Sequence, residues 1–132
     1  MIALDTNVLV RFIVRDDEVQ FALARDLIAA CTPEWKGFIS REVIIELCWV
    51  LERTMKFSRM TVAQTLTRVA RADMFEMEER LDVQSAILAY QIEGFDFADL
   101  MIAAAAKRAG ASELVTFDKR LASLPKTRLL RA

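Results

Sequence analysis

Four acidic residues in this chain stand where they could do chemistry. Asp5 follows the apolar run Met1 to Leu4, Glu46 lies inside VIIELCWVL, Asp99 falls in FDFADLMIAAAAKRAG, and Asp118 follows LVTF. The 132 residues include no histidine. That absence removes imidazole acid–base catalysis, Ser-His-Asp and Cys-His nucleophile systems, and nearly every zinc site. Carboxylates, hydroxyls, Lys or Arg, or a hard metal must carry any catalysis. The two cysteines, Cys31 and Cys48, are far apart and form no C-x-x-C pair, so they read as buried reduced thiols.

Each acid alone also has a purely structural reading. Asp is a favoured N-cap, so Asp5 and Asp118 could simply cap the helices that follow them. Glu46 shares a narrow polar stripe with Glu42 and Arg53, which leaves open whether its carboxylate is solvated or sunk among apolar neighbours. Asp96 and Asp99 have N-cap and N3 spacing, like a capping box with Asp in place of Glu. Asp96 reads as the cap and Asp99 as the carboxylate aimed at the strand rim. Brought together, such acids conflict: two carboxylates ~4 Å apart repel by about 4 kcal/mol at an effective dielectric near 20. A cluster of them must hold a proton or a cation. Oxygen-only ligands suit one or two Mg²⁺ or Mn²⁺ ions, which polarise a phosphoryl oxygen and activate water.

The elements that must position these acids follow from periodicity and punctuation. Met1 to Leu4 reads as a strand, and apolar spacing between Asp16 and Cys31 reads as a helix ended by Thr32-Pro33. Residues 37–40 are predicted as a strand, 41–53 as a helix with Trp49 and Leu51 on its apolar side, and 58–72 as a helix capped by Ser58 or Thr61. A strand over 74–77, a helix over 79–93 stopped by Gly94, and a helix over 97–109 come next. Then follow a strand over 113–117, a short helix over 119–123 and a last strand over 127–130. Strands separated by helices predict one α/β domain over 1–132, a central parallel sheet of about five strands with helices on both faces. In such a sheet ligands bind outside the carboxyl ends of the strands, so Asp5 and Asp118 share a rim if both strands are central.

Composition adds bounds. Hydrophobic residues make up 55% of the chain, above the roughly 45–50% usual for soluble domains, which predicts an apolar face for a partner or a second copy. No run approaches the ~20 apolar residues of a membrane span, and the first strand begins without a charged leader, so a cytoplasmic location and no membrane association are expected. Net charge is −1 and the isoelectric point about 5.5, so no global basic footprint for nucleic acid exists. Arg11, Arg15, Arg41, Lys119 and Arg120, near the predicted rim, are the candidate phosphate contacts, each equally readable as ordinary surface charge.

The opening LDTNVLV, the helix REVIIELCWVLER, the stretch FDFADLMIAAAAKRAGA and the late LVTFDKRL, in this order, resemble a PIN domain, in particular the VapC-type ribonuclease toxins of bacterial toxin–antitoxin pairs. The resemblance covers essentially the whole chain. It implies that Asp5, Glu46 and Asp99 are the three core acids and Asp118 the more variable fourth. It further implies that Thr6 and Asn7 support the acids or a metal-bound water, and that Thr116 lies on the same rim. The implied protein is a Mg²⁺- or Mn²⁺-dependent endoribonuclease, a homodimer whose site is occluded by a VapB-like antitoxin.

Two other classes compete. A haloacid-dehalogenase-type phosphatase also places Asp after the first strand but wants D-x-D, which here reads Asp5-Thr6-Asn7, although Lys119 could mimic its lysine. A non-catalytic partner-binding subunit would use the same acids only as helix caps.

Overall fold

The computed structural model describes residues 1–132. Five short strands, β1 (Ile2–Ala3), β2 (Gly37–Ile39), β3 (Phe75–Met77), β4 (Leu114–Thr116) and β5 (Thr127–Leu129), alternate with helices. The helices are α1 (Thr6–Val14), α2 (Glu18–Ala29), α3 (Arg41–Trp49), α4 (Arg59–Arg71), α5 (Arg80–Glu93) and α6 (Phe97–Arg108). Every strand pairing is parallel, as alternation of strands and helices requires. The predicted five strands divide into two sheets, β1-β2-β3 and β4-β5, with no hydrogen-bonded ladder joining them. The division follows from strand length, because β1 contributes two residues and pairs only with β2 before the chain turns into α1.

Helix starts follow cap chemistry. Asp5, Asp17, Ser40, Ser58 and Asp96 each accept a backbone N–H with the side chain at the start of the following helix. Each such cap contributes about 0.5–2 kcal/mol. Of the two caps weighed for α4, Ser58 is the one observed, accepting from Thr61 N at 3.2 Å. The register of β1 on β2 depends on Gly37, where a Cβ would come within 3.0 Å of Leu4 Cδ1 and 3.3 Å of Cys31 Sγ. Gly94 ends α5 at φ +75°, a conformation that glycine adopts without steric cost.

The core lies between the helices and the three-stranded sheet. Ile39, Ile44, Leu47, Leu51, Leu66 and Met101 are fully enclosed, together with the rings of Tyr90 and Phe97, which meet edge to face at 6.3 Å. Each such side chain contributes about 1.5–3 kcal/mol. On α3 the buried face runs Ile44, Leu47, Cys48 and on to Leu51, a helical spacing that leaves Trp49 off the stripe. Trp49 is 58% exposed, a correction to its predicted apolar placement, whereas Leu51 is buried as expected. Both cysteines are buried and free.

Past Trp49 the chain widens into a π-helical turn, Val50–Thr54, where the sequence predicts an unbroken helix to Arg53. The turn aims Glu52 inward, where its Oε1 accepts from Tyr90 Oη at 2.6 Å and Cys48 Sγ at 3.3 Å. Burial and the bond to Glu52 hold the Tyr90 phenol well above its ordinary pKa. Tyr90→Phe removes the stronger donor from a partly buried carboxylate and is expected to cost about 1–3 kcal/mol. Urea unfolding of the two proteins measures this, and an unchanged midpoint would show that the bond contributes nothing.

Candidate active site

β1 and β2 are parallel neighbours with Ala3 opposite Phe38, so Asp5 and Ser40 stand level at the carboxyl end of the sheet, each capping the helix that follows. β3 ends beside them, and Glu78 just beyond it accepts Arg41 N at 2.8 Å, adding a second cap to α3. Asp5 is exposed, and its Oδ1 accepts Thr6 N at 2.8 Å. Thr6 is buried, and its Oγ1 is left without any partner. Asn7 is exposed beside it.

Glu46, also exposed, lies six residues into α3, ~9 Å along the helix from its cap. It lines an open groove of about 460 Å³ with Glu42, Trp49, Glu52, Arg53 and Asp96. The solvated reading of Glu46 is therefore the observed one, yet its solvent is a groove whose far wall is the start of α6, at Asp96 to Ala98. Asp96 is the helix cap, its Oδ1 accepting Ala98 N at 2.8 Å. Asp99 is half-buried and makes no capping bond, so its carboxylate is free for other work. Burial, then the charges of Asp96 and Asp118, raise its pKa above the ordinary value of 3.8.

Asp118 lies in the loop after β4, where its Oδ1 accepts Arg120 N at 2.8 Å and Leu121 N at 3.0 Å, capping the 3₁₀ turn Leu121–Ser123. Thr116 Oγ1 accepts Asp118 N at 2.9 Å and so shapes that loop. Asp99 thus feels the charges of both Asp96 and Asp118, and Glu46 shares a groove with Asp96. Asp5 comes to the same end of the sheet through β1, but no contact in the structure joins its carboxylate to the others.

The basic residues separate into groups. Lys119 is exposed beside Asp118. Arg11 pairs with Asp16 at 2.7 Å and Arg15 with Glu18 at 3.3 Å, which ties both to the start of α2. That junction lies at the opposite end of α1 from Asp5, so these two do not stand at the rim where the sequence puts them. Arg41 is largely enclosed, donating to Met101 O at 2.8 Å and facing Asp82 at 3.6 Å, which makes it a brace between α3 and the α5–α6 pair. Arg120 donates its side chain to Glu93 O. Sequence reading missed Glu78, Glu52 and Arg59, each of which has a partner more than 30 residues away along the chain, and no local signal marks them.

No three acidic or thiol side chains stand close enough, as placed, to grip one ion together. The chemistry of the donors nonetheless fits a hard divalent cation. They are oxygen-only, Asp99 feels two neighbouring carboxylates and no countering base, and the orphaned Thr6 hydroxyl lies one residue from Asp5.

Among known proteins, the model of the PIN domain family matches residues 2–127. The chain is 28% identical over 121 residues to a VapC ribonuclease of Aquifex aeolicus, covering 92% of this chain and 90% of that protein. No solved structure gives a significant match.

The raised pKa of Asp99 has a testable sign. Its folded value lies above its unfolded one, so its ionised form costs stability at neutral pH, and that cost disappears as pH falls through the folded value toward 3.8. In metal-free protein, wild type is expected to gain stability relative to Asp99→Asn as pH drops from 7 to 4, and adding Mg²⁺ at pH 7 is expected to raise only the wild-type Tm. Parallel pH profiles for the two proteins would remove the crowding at Asp99 from the account.

Proposed function

The chain belongs to the PIN domain family, and from that premise we propose that it is a VapC-type endoribonuclease toxin, using Mg²⁺ or Mn²⁺ to hydrolyse RNA phosphodiester bonds. The observation that carries the reading is the carboxylate of Asp99, half-buried in the first turn of α6 and crowded by the charges of Asp96 on the same helix start and Asp118 on the loop after β4, with Asp96 across a groove from Glu46. The similarity to a VapC ribonuclease over most of the chain supports the same reading. Asp5-Thr6-Asn7 lacks the second aspartate of an aspartyl-phosphate phosphatase, and family membership turns away from that class.

On this reading Asp5, Glu46 and Asp99 would hold the cation, and Asp118 would be available to a second one. When bound, the ion supplies charge to the scissile phosphate and a water of lowered pKa. Asp118, fixed by Thr116 and by two backbone N–H donors on Oδ1, has its other carboxylate oxygen open to hold a cation or a proton. Thr6 and Asn7 orient the polar edge next to Asp5, with the Thr6 hydroxyl as the unsatisfied group that a water would meet. Lys119 is the basic side chain placed to meet a phosphate beside Asp118. The acidic overall charge makes RNA affinity depend on the cation and a few local bases.

Two exposed apolar stripes suit two protein partners. Val19, Leu23 and Leu27 line one side of α2 at 72%, 67% and 40% exposure, and Leu81, Leu88 and Ile92 line α5 at 79%, 58% and 71%. A second copy in a homodimer and a segment of a VapB-like antitoxin would cover them. No helix is long and apolar enough to cross a membrane; a cytoplasmic location is part of the proposed reading, since the proposed substrate is cellular RNA.

Asp5→Asn, Glu46→Gln and Asp99→Asn are each expected to cut Mg²⁺-dependent RNA cleavage roughly 100-fold or more while the far-ultraviolet circular dichroism stays unchanged. Sequencing RNA 5′ ends after inducing wild type beside Asp5→Asn reads the cleavage sites directly. Equal cleavage by both would end the assignment.

A further inference from the structure

Asp99 sits on α6 and Asp118 in the loop after β4, and no strand ladder ties that loop to the β1-β2-β3 sheet. The turn between α5 and α6, at Gly94 and Phe95, must therefore be held by other means. Helix ends leave carbonyls unpaired, and those at the end of α5 are met by two guanidinium groups from distant segments. Arg59, the first residue of α4, donates through Nη2 to Tyr90 O at 3.0 Å and Phe95 O at 2.6 Å. Its guanidinium lies 3.9 Å above the Tyr90 ring. From the other side Arg120 lies 4.4 Å over the Phe95 ring and donates to Glu93 O. Its backbone N–H meanwhile bonds Asp118 Oδ1 at 2.8 Å.

The connectivity is specific. Phe95, whose carbonyl Arg59 holds, immediately precedes Asp96, the cap of α6. Arg120 reaches the same turn with its side chain while its backbone holds Asp118. A chain of bonds therefore runs from α4 through the α5–α6 turn to the Asp118 loop. Neither arginine forms an ion pair, whereas Arg11, Arg15, Arg25, Arg41, Arg108 and Arg128 all do. Both charges are spent on carbonyls and aromatic faces, where a planar guanidinium can stack and donate at once. Such charge-assisted bonds are the strong class.

We propose that Arg59 and Arg120 clamp the α5–α6 turn from both sides and are positioning residues that set Asp99 against Asp118, and thereby set the affinity of the site for a divalent cation. This rests on the metal-dependent reading above. It also replaces the expected role of Arg120 as a phosphate contact: its guanidinium is committed to Phe95 and Glu93.

The test compares full-length wild type, Arg59→Met, Arg120→Met and Arg120→Lys. Mn²⁺ affinity is read from the electron paramagnetic resonance signal of the free ion, well below each Tm, alongside Tm and RNA cleavage. Both Met variants are expected to bind Mn²⁺ roughly 10-fold or more weakly, with cleavage partly restored by excess Mn²⁺. Arg120→Lys, which keeps one donor and loses the stacking plane, is expected to fall between. Should Arg59→Met fail to fold, the exposed Arg120 decides the matter. Lowered Tm with unchanged Mn²⁺ affinity in the Met variants would overturn the clamp while leaving the nuclease reading intact. A wild type that takes up no Mn²⁺ would overturn the metal reading, and the clamp's role with it.

Discussion

Burial raises the cost of the Asp99 charge, and the negative charges of Asp96 and Asp118 add to it. The N-terminal end of α6 offsets part of that cost, because a helix start carries partial positive charge. Asp96 already takes one of the free N–H donors there, however, and Asp99 takes none. A fold that only needed a stable helix would stop at Asp96. A second acid in the same first turn, with the charge of Asp118 acting on it from the loop after β4, is strain in electrostatic form that a bound divalent cation would relieve.

The rest of the molecule maintains that crowding. Parallel pairing of β1 and β2 brings Asp5 and the start of α3 to the same end of the sheet, with Gly37 permitting the close approach. The buried stripe of α3 turns Glu46 toward the groove, and the π turn after it directs Glu52 to the Tyr90 hydroxyl. Tyr90 in turn supports Arg59, which holds the carbonyl ahead of Asp96. Thr116 and the two N–H donors on Asp118 fix the opposing loop. Packing, capping and charge thus converge on the spacing of a few oxygens.

Local signals in the sequence carried far, because caps and stops act over a few residues. Asp96, Ser58 and Gly94 end or begin helices as their residue types require, and the boundaries drawn from sequence fall within about two residues of the observed ones except at α3, which gives way to the π turn after Trp49; α1 was given no bounds. The parallel α/β plan was legible from alternation alone. Nonlocal facts were not. The separation of β4-β5 from the three-stranded sheet depends on which strand edges meet in space, and Trp49 emerges because burial follows the stripe through Leu51. The fates of the arginines were equally hidden: Arg11, Arg15 and Arg41 find acids, whereas Arg59 and Arg120 find carbonyls, and only tertiary structure decides which. The four acids were singled out as a set because a chain without histidine leaves carboxylates, hydroxyls, Lys or Arg, or a hard metal to carry any catalysis.

On the proposed reading, acids from four separate segments share one divalent cation site. Soaking crystals of the protein in Mn²⁺ and recording anomalous difference density tests it most directly. A peak among the carboxylates of Asp5, Glu46 and Asp99, absent in Asp99→Asn, is the expected result. Density that is missing at saturating Mn²⁺, or found only at surface acids elsewhere, would contradict it.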